Sequence, residues 1–206
     1  MDILSKPALT LAGLLISVLL FSQDFDKQLK AFEKSYAFES EKNYSAAIKE
    51  LQGVYQADDY ETNLRLGWLT YSDGRYAEAL SYYQKCIGLR PLSVEARLGF
   101  VNPAAALGNW SQVEAQYNEI LKADPMNTTA NYRMGLITYN REDFATALKH
   151  FTIVLNLYPF DYDTAIMMAW TQYKLGKLRE AKIMFQKALL MNPGDSSALE
   201  GLKLIR

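Results

Sequence analysis

Residues 60–93, YETNLRLGWLTYSDGRYAEALSYYQKCIGLRPLS, decide how this chain of 206 residues is interpreted. The stretch carries Pro91 near its end, and three further prolines follow at equal intervals, at Pro125, Pro159 and Pro193. A constant period of roughly 34 residues is typical of chains built from stacked copies of one small unit. We therefore interpret residues 60–195 as four such units.

The spacing of apolar residues within the stretch is helical. Apolar side chains recur every three or four residues from Tyr76 to Ile87, which places them on one face of a helix. Gly74 precedes this helix where a turn is needed, and Pro91 cannot continue it. Each unit is thus predicted to be helix, tight turn, helix and proline-containing turn. Polar residues two positions after each proline are predicted N-caps of the next helix, namely Ser93, Asn127, Asp161 and Asp195.

The stretch resembles the tetratricopeptide repeat, a helix–turn–helix motif of about 34 residues. The residues that carry the resemblance are Leu66, Gly67, Tyr71, Gly74, Tyr76, Ala79, Tyr83 and Pro91. The third unit departs most, because Pro103 lies inside its first helix, where we expect a kink or local widening. The resemblance implies an all-α, right-handed α-solenoid. In that fold, the first helix of each pair lines a concave groove that receives a peptide or protein segment.

The repeat pattern divides the chain into five units and flanking segments. The first unit is degenerate, because the step from Tyr44 to Tyr76 is shorter than the constant step between the later units. The predicted segments are a linker over 23–27, units over 28–59, 60–93, 94–127, 128–161 and 162–195, and a capping helix over 196–206.

Residues 1–22 lie outside the repeat. The run from Ala8 to Phe21 is 14 residues long and almost wholly apolar. This length suits the hydrophobic region of a signal peptide, since a membrane-spanning helix needs about 20 residues. We expect cleavage after Ser22 and export into a bacterial periplasm. The alternative is an uncleaved anchor over 8–21, which would be the chain's contact with a membrane.

Composition and motifs argue against several classes of protein. The net charge is −1 with mixed signs, so nothing favours nucleic acid as a partner. The single cysteine, Cys86, falls in a packing column and is predicted to be a small buried hydrophobe. The single histidine, His150, has no local acidic or cysteine cluster and is predicted to be structural. We therefore expect no catalytic residues, no metal, no cofactor and no enzymatic activity.

The groove implied by the resemblance selects candidate partner-binding residues. They are Leu64, Trp68, Tyr71, Asn102, Tyr132, Tyr139, Trp170 and Tyr173. Trp68 and Trp170 are the strongest candidates, because the repeat does not require tryptophan there and aromatic anchors dominate many recognition surfaces. Packing between helices is the alternative for both, and it is the stronger alternative for the tyrosines. The paired Lys and Asn residues with which some family members clamp a C-terminal carboxylate are absent at the matching places.

Three hypotheses of function follow. The first is a non-enzymatic scaffold that binds a peptide or protein segment in an aromatic groove within an exported envelope complex. The second is a membrane-tethered assembly factor that retains residues 8–21. The third is a carbohydrate-binding module or enzyme subunit that uses the tryptophans as platforms for sugars.

Overall fold

The computed structural model describes residues 24–205, so the predicted signal peptide or anchor over 1–22 lies outside the described part of the chain. Within residues 24–205 the structure is all-α, as predicted, with no β-strand. Its helices are α1 (24–40), α2 (Tyr44–Gln52), α3 (Tyr60–Ser72), α4 (Tyr76–Leu89), α5 (Val94–Ala106), α6 (Trp110–Ala123), α7 (Thr128–Asn140), α8 (Phe144–Leu157), α9 (Tyr162–Lys174), α10 (Leu178–Met191) and α11 (Ser196–Leu204).

The first helix begins earlier than the sequence pattern predicted. Residues 24–27, expected as part of a linker, form the first turn of α1. Asp24 and Asp26 lie in that turn, where negative charge interacts favourably with the free N–H groups of a helix start. The carboxylate of Asp24 also lies 3.8 Å from the Lys27 ammonium, one turn further on. These local charges favour helical structure over residues 24–27.

The helices repeat with the period of the sequence. Helices α3, α5, α7 and α9 begin at equal intervals and each contain 13 residues, whereas α4, α6, α8 and α10 each contain 14. The predicted caps are confirmed. The side chains of Ser93, Asn127, Asp161 and Asp195 each accept a hydrogen bond from the backbone N–H three residues later. Each cap of this kind contributes about 1 kcal/mol to the stability of its helix.

Pro103 does not interrupt α5. The helix runs through it and keeps the 13 residues of the other regular first helices. The proline lies in the last turn of the helix, where its missing N–H removes the hydrogen bond to the carbonyl of Gly99. The helix is therefore continuous through Pro103, and the expected kink or local widening stays a prediction.

The chain divides into two compact units. The N-terminal unit ends at Asn109 and contains α1 to α5, and the C-terminal unit begins at Trp110 and contains α6 to α11. In the N-terminal unit α3 packs against α2, α4 and α5. In the C-terminal unit α7 packs against α6 and α8, α9 packs against α8 and α10, and α11 packs against α9 and α10. Consecutive helices thus form the packed pairs expected of the repeat.

Aromatic rings of α4, α8 and α10 pack closely against glycines of neighbouring helices. In the N-terminal unit, the Tyr83 ring of α4 lies against both Gly67 of α3 and Gly99 of α5. A Cβ added at Gly67 would lie 3.0 Å from the Tyr83 Cζ, and one added at Gly99 would lie 2.6 Å from it. Either distance is shorter than carbon atoms tolerate without movement of the ring or the backbone. The two glycines are therefore required by the close approach of the ring.

The C-terminal unit uses the same wedge. The Phe151 ring of α8 lies against Gly135 of α7, and the Phe185 ring of α10 lies against Gly201 of α11. In both cases a Cβ on the glycine would lie 2.5 Å from the Cε1 of the ring. Both rings are fully buried. The predicted capping helix α11 is thus held by the same contact that joins the regular repeats.

The tight turns within the pairs need one residue in the left-handed region. Gly74, Gly108 and Gly176 occupy it with φ between 72° and 79°, but Lys42 and Glu142 stand in the same place with φ of 59° and 63°. A residue with a Cβ costs about 1–2 kcal/mol in this conformation. The turn at Glu142 is therefore strained relative to the turns at the glycines.

We predict that Glu142→Gly stabilises the C-terminal unit. Relief of the left-handed strain outweighs the added flexibility of the unfolded chain, for a net gain of about 0.5–1 kcal/mol. Chemical denaturation followed by circular dichroism measures this gain. Glu142→Ala is the matched control, since it removes the same charge but keeps a Cβ, and it should give no gain. Equal stabilisation by both variants would contradict the strain explanation.

Candidate interaction groove

The N-terminal unit contains a groove of about 410 Å³ between its first helices. Its walls come from α1, α3 and α5, and the Tyr83 side chain of α4 forms its base. We call it the aromatic groove, and its lining residues are Phe32, Tyr36, Glu61, Leu64, Arg65, Trp68, Tyr83, Glu95 and Gly99. Phe32 and Tyr36 of α1, Leu64 and Trp68 of α3, and Glu95 and Gly99 of α5 are each four residues apart. Each of these helices therefore contributes one of its faces to the groove.

Trp68 is the most prominent aromatic side chain of α3 in this groove. Its side chain is 43% exposed, yet its Nε1–H donates a hydrogen bond of 2.5 Å to the Oε1 of Glu39. The indole also lies beside Tyr71, with 6.1 Å between ring centroids. Because the hydrogen bond already orients the indole, its exposed part can contact a ligand with little loss of conformational entropy.

Arg65 is neutralised inside the groove. Its Nη2 lies 2.5 Å from the Oε2 of Glu39, and its Nε–H donates to the Oγ of Ser35 at 3.2 Å. The guanidinium carbon lies 3.8 Å from the centroid of the Tyr36 ring, an arrangement typical of a cation–π contact. The arginine side chain is only 9% exposed. Arg65 therefore serves to join α1 to α3 and is not a free positive charge.

Glu39 is the centre of this network, because it accepts hydrogen bonds from both Trp68 and Arg65. Partial burial alone would raise the pKa of its carboxyl group. The hydrogen bonds from the indole and the guanidinium, with the positive charge of Arg65, outweigh that effect and hold the pKa below 4.5. The ionised carboxylate is therefore the form that orients the tryptophan.

The remaining charge of the aromatic groove is negative. Glu61 lies 2.7 Å from the Nη2 of Arg90 at the exposed surface. Glu95 also lines the groove, and within residues 24–205 no lysine or arginine forms an ion pair with it. With Arg65 paired to Glu39, one carboxylate of the groove is left without a partner. The groove thus combines aromatic surface with an unneutralised negative charge.

Three of the predicted tyrosines make aromatic contacts within their own repeats. The Tyr71 ring lies 5.8 Å from that of Tyr76, and the Tyr139 ring lies 5.3 Å from that of Phe144. Both pairs link the end of a first helix to the start of the second. Tyr173 lies 5.7 Å from the Trp170 ring in an edge-to-face arrangement. These contacts give the three tyrosines a packing role within their own repeats.

The predicted residues of the C-terminal unit are dispersed. Trp170 is half-buried, with its ring 5.0 Å from Phe185 and its Nε1–H donating to the Oγ of Ser197 in α11 at 2.8 Å. Tyr132 lines a separate cavity of about 380 Å³ that also contains Tyr158. In the N-terminal unit, Asn102 is exposed on α5 and is not among the residues that line the aromatic groove. Of the eight candidates, the structure brings only Leu64 and Trp68 together in that groove.

Two residues of reactive types, a cysteine and a histidine, have structural roles. Cys86 is fully buried, and its burial raises the pKa of the thiol to about 12, so the reactive thiolate is not formed at neutral pH. His150 lies 2.9 Å through its Nδ1 from the Oδ1 of Asn131. The amide of Asn131 in turn donates to the carbonyls of Pro125 and Asn127. His150 is therefore part of a hydrogen-bond network that links α8, through Asn131, to the turn before α7.

Metal sites and membrane spans are both missing from the part of the chain that the structure describes. Residues 24–205 contain no group of three histidine, cysteine or acidic side chains arranged to hold a metal ion. Over the same residues, no helix has the length and apolar character that a membrane crossing demands.

The sequence pattern missed several groove residues. Glu61, Tyr83 and Glu95 of the groove lining, and Glu39, which orients Trp68, were not among the candidates for partner binding. One signal was present, since Glu61 and Glu95 share a column of the repeat. The role of Glu39 depends on the register of the degenerate first unit, for which the repeat gives no template.

We predict that the Trp68 indole reports the titration of Glu39. As the pH falls through the lowered pKa of Glu39, protonation weakens the hydrogen bond, and the stability that the carboxylate contributes above pH 4.5 is lost. The Nε1–H resonance of Trp68, followed by NMR, should shift with a midpoint below 4.5. Glu39→Gln should abolish the shift. A midpoint above 4.5, or the same shift in Glu39→Gln, would contradict this assignment.

Comparison with known proteins gives matches among family models, solved structures and curated protein sequences. Residues 71–135 and 162–195 match two family models described as tetratricopeptide repeat. A tetratricopeptide repeat protein from Parabacteroides merdae has a TM-score of 0.75 and 19% identity, over 87% of this chain and 72% of that one. The MamA protein has a TM-score of 0.70 and 17% identity, over 81% of this chain and 92% of that one. At these identities the structures show a shared fold.

Two curated relatives are much longer than this chain. The human protein O-mannosyl-transferase TMTC1 is 28% identical over 139 residues, which are 65% of this chain and 16% of the relative. The RNA polymerase-associated protein CTR9 of Caenorhabditis elegans is 24% identical over 115 residues, which are 55% of this chain and 10% of the relative. Tetratricopeptide repeats thus match residues 71–135 and 162–195 of this chain, and the periodic helix pairs and the shared fold agree with these matches.

Proposed function

We propose that this protein is a non-enzymatic scaffold that binds a segment of another protein in the aromatic groove of its N-terminal unit. Tetratricopeptide repeats generally form scaffolds for protein–protein interaction, and the fold is generally non-catalytic. The observation that carries the proposal is Trp68, which is 43% exposed and yet held in place by Glu39. Oriented, half-exposed indoles are frequent anchors of protein recognition.

The size and composition of the groove support the same role. Its volume of about 410 Å³ lies within the usual range of about 300–1,000 Å³ for ligand pockets. Leu64 and Trp68 of α3 face Phe32 and Tyr36 of α1 across it. A second cavity of about 450 Å³, lined in part by Phe25 and Leu29, continues the apolar surface along α1. A peptide segment of several residues could therefore contact this surface along its length.

We further propose that the scaffold acts outside the cytoplasm, in an envelope complex of a bacterium. The support is the apolar run of residues 8–21 with its length of 14 residues. Mass spectrometry of the mature protein tests this proposal. A first residue near Gln23 supports cleavage and export, whereas an intact Met1 supports the alternative of a tethered assembly factor.

The name of the relative TMTC1 raises the alternative of a transferase subunit. This chain matches 16% of that protein at 28% identity. The third hypothesis, a sugar platform, relies on the same exposed indole of Trp68. Titration with glycans, followed by tryptophan fluorescence, separates it from peptide binding.

We predict that peptides selected from a random displayed library by the immobilised protein bind through Trp68. Trp68→Ala should weaken their binding at least tenfold, because loss of a buried aromatic anchor costs about 2 kcal/mol or more. Fluorescence anisotropy with labelled synthetic copies of the selected peptides measures the change. Trp110→Ala is the matched control, since Trp110 is 58% exposed and lies outside the groove.

Two outcomes would contradict this function. Equal losses in the two tryptophan variants would show that the groove does not select the peptides. A wild-type protein that enriches no peptide, or that responds to glycans instead, would reject the proposed class of partner. Circular dichroism of each variant confirms that helical content is unchanged.

A further inference from the structure

Tyr83 carries a hydroxyl group that the fold does not require. It belongs to the column of wedge residues in which Tyr83, Tyr117, Phe151 and Phe185 follow one another at the interval of the repeat. Phe151 and Phe185 fill the same slot without a hydroxyl, and both are fully buried. The ring is therefore what packing demands at this position, and the hydroxyl group of Tyr83 needs another explanation.

The hydroxyl lies at the base of the aromatic groove. The Tyr83 side chain is 4% exposed, and its Cζ, which bears the hydroxyl, lies beside the bare Cα positions of Gly67 and Gly99. Because neither glycine has a side chain, the end of the ring contributes to the groove lining. Among residues 24–205 the hydroxyl has no hydrogen-bond partner. The hydroxyl oxygen itself is not fully buried, so water or a ligand in the groove can supply the acceptor.

The protonation state of Tyr83 makes it a donor. Burial raises the pKa of its hydroxyl well above the usual value, and the nearby Cys86 and Glu95 add to this effect. The group is thus neutral and protonated throughout the physiological pH range. A peptide carbonyl oxygen is the acceptor that any protein segment in the groove would offer.

Glu95 supplies the second polar feature. It lies one helical turn before Gly99 on the same face of α5 and lines the groove. Its place in the first turn of α5 is favourable for a carboxylate because of the free N–H groups there. That position does not neutralise the charge, and no cation of residues 24–205 pairs with it. The groove therefore favours a ligand that brings a positive charge.

We propose, on the basis of the function proposed above, that the aromatic groove recognises an apolar protein segment that carries a lysine or arginine. Apolar side chains of the segment contact Leu64 and Trp68. The cationic side chain pairs with Glu95, and the Tyr83 hydroxyl donates a hydrogen bond to a backbone carbonyl of the segment. Glu95 thus determines sequence preference, whereas Tyr83 contributes to affinity for every segment that binds.

The library selection described above tests the charge preference. The wild-type protein should enrich peptides in which a lysine or arginine lies near apolar residues. Glu95→Gln should still enrich apolar peptides but without the basic residue. Asp163→Asn is the matched control, because Asp163 occupies the same repeat column in α9 of the C-terminal unit, and it should leave the basic preference intact.

Synthetic peptides separate the two polar contacts. For a selected peptide, Glu95→Gln should weaken binding about tenfold, and replacing the basic residue of the peptide by glutamine should remove that difference. Tyr83→Phe should weaken binding of both peptides about fivefold without lowering the melting temperature, since phenylalanine already fills this slot elsewhere. Tyr117→Phe, the same change outside the groove lining, should leave binding unchanged.

The outcomes distinguish this inference from the proposed function. Apolar peptides without basic enrichment, bound equally by wild type, Glu95→Gln and Tyr83→Phe, would overturn the inference and leave the proposed function standing. The absence of any peptide selected by the wild type would overturn the proposed function itself. Self-association that Trp68→Ala abolishes would also overturn the inference, because a second copy of the chain would then be the occupant.

Discussion

The structure depends on one repeated contact, an aromatic ring inserted between small residues of first helices. The Tyr83 ring is accommodated by Gly67 on one side and Gly99 on the other. Interiors of proteins are packed too densely for a ring and an added methyl group to share such a slot. The glycines therefore set how closely α3 and α5 approach the ring of α4. Helix propensity opposes glycine in these helices, so its presence reflects the wedge.

The same contact shapes the candidate site. Because Gly67 and Gly99 lack side chains, the end of the Tyr83 ring becomes part of the floor of the aromatic groove. The walls are then held by polar links between helices, above all by Glu39 with Trp68 and Arg65. The groove therefore results from the close approach of the helix backbones and from the hydrogen-bonded network of Glu39, Trp68 and Arg65. Its recognition properties follow from the groups that this arrangement leaves without partners, namely an indole face, a hydroxyl group and a carboxylate.

Local features of the fold could be predicted from the sequence, whereas features that depend on the contact between distant residues could not. The caps at Ser93, Asn127 and Asp161 follow from their neighbours in sequence, and the structure confirms them. The groove position of Trp68 follows from the repeat column, but its bond to Glu39 depends on the irregular first unit. The half-buried state of Trp170 depends on Ser197 in α11, which the repeat pattern does not specify. Partner binding by the candidate residues stays a prediction.

The stability of Gly99→Ala tests the wedge most directly. A methyl group there would meet the Tyr83 ring, with Cζ only 2.6 Å away, and overpacking of this kind costs about 1–3 kcal/mol. Gly88→Ala in α4 is the matched substitution, because nothing lies within 4 Å of the added methyl group and helix propensity favours alanine by roughly 0.5–1 kcal/mol. In equilibrium urea denaturation the account predicts that Gly99→Ala unfolds at lower urea than the wild type and Gly88→Ala at equal or higher urea. A Gly99→Ala variant as stable as Gly88→Ala would contradict it.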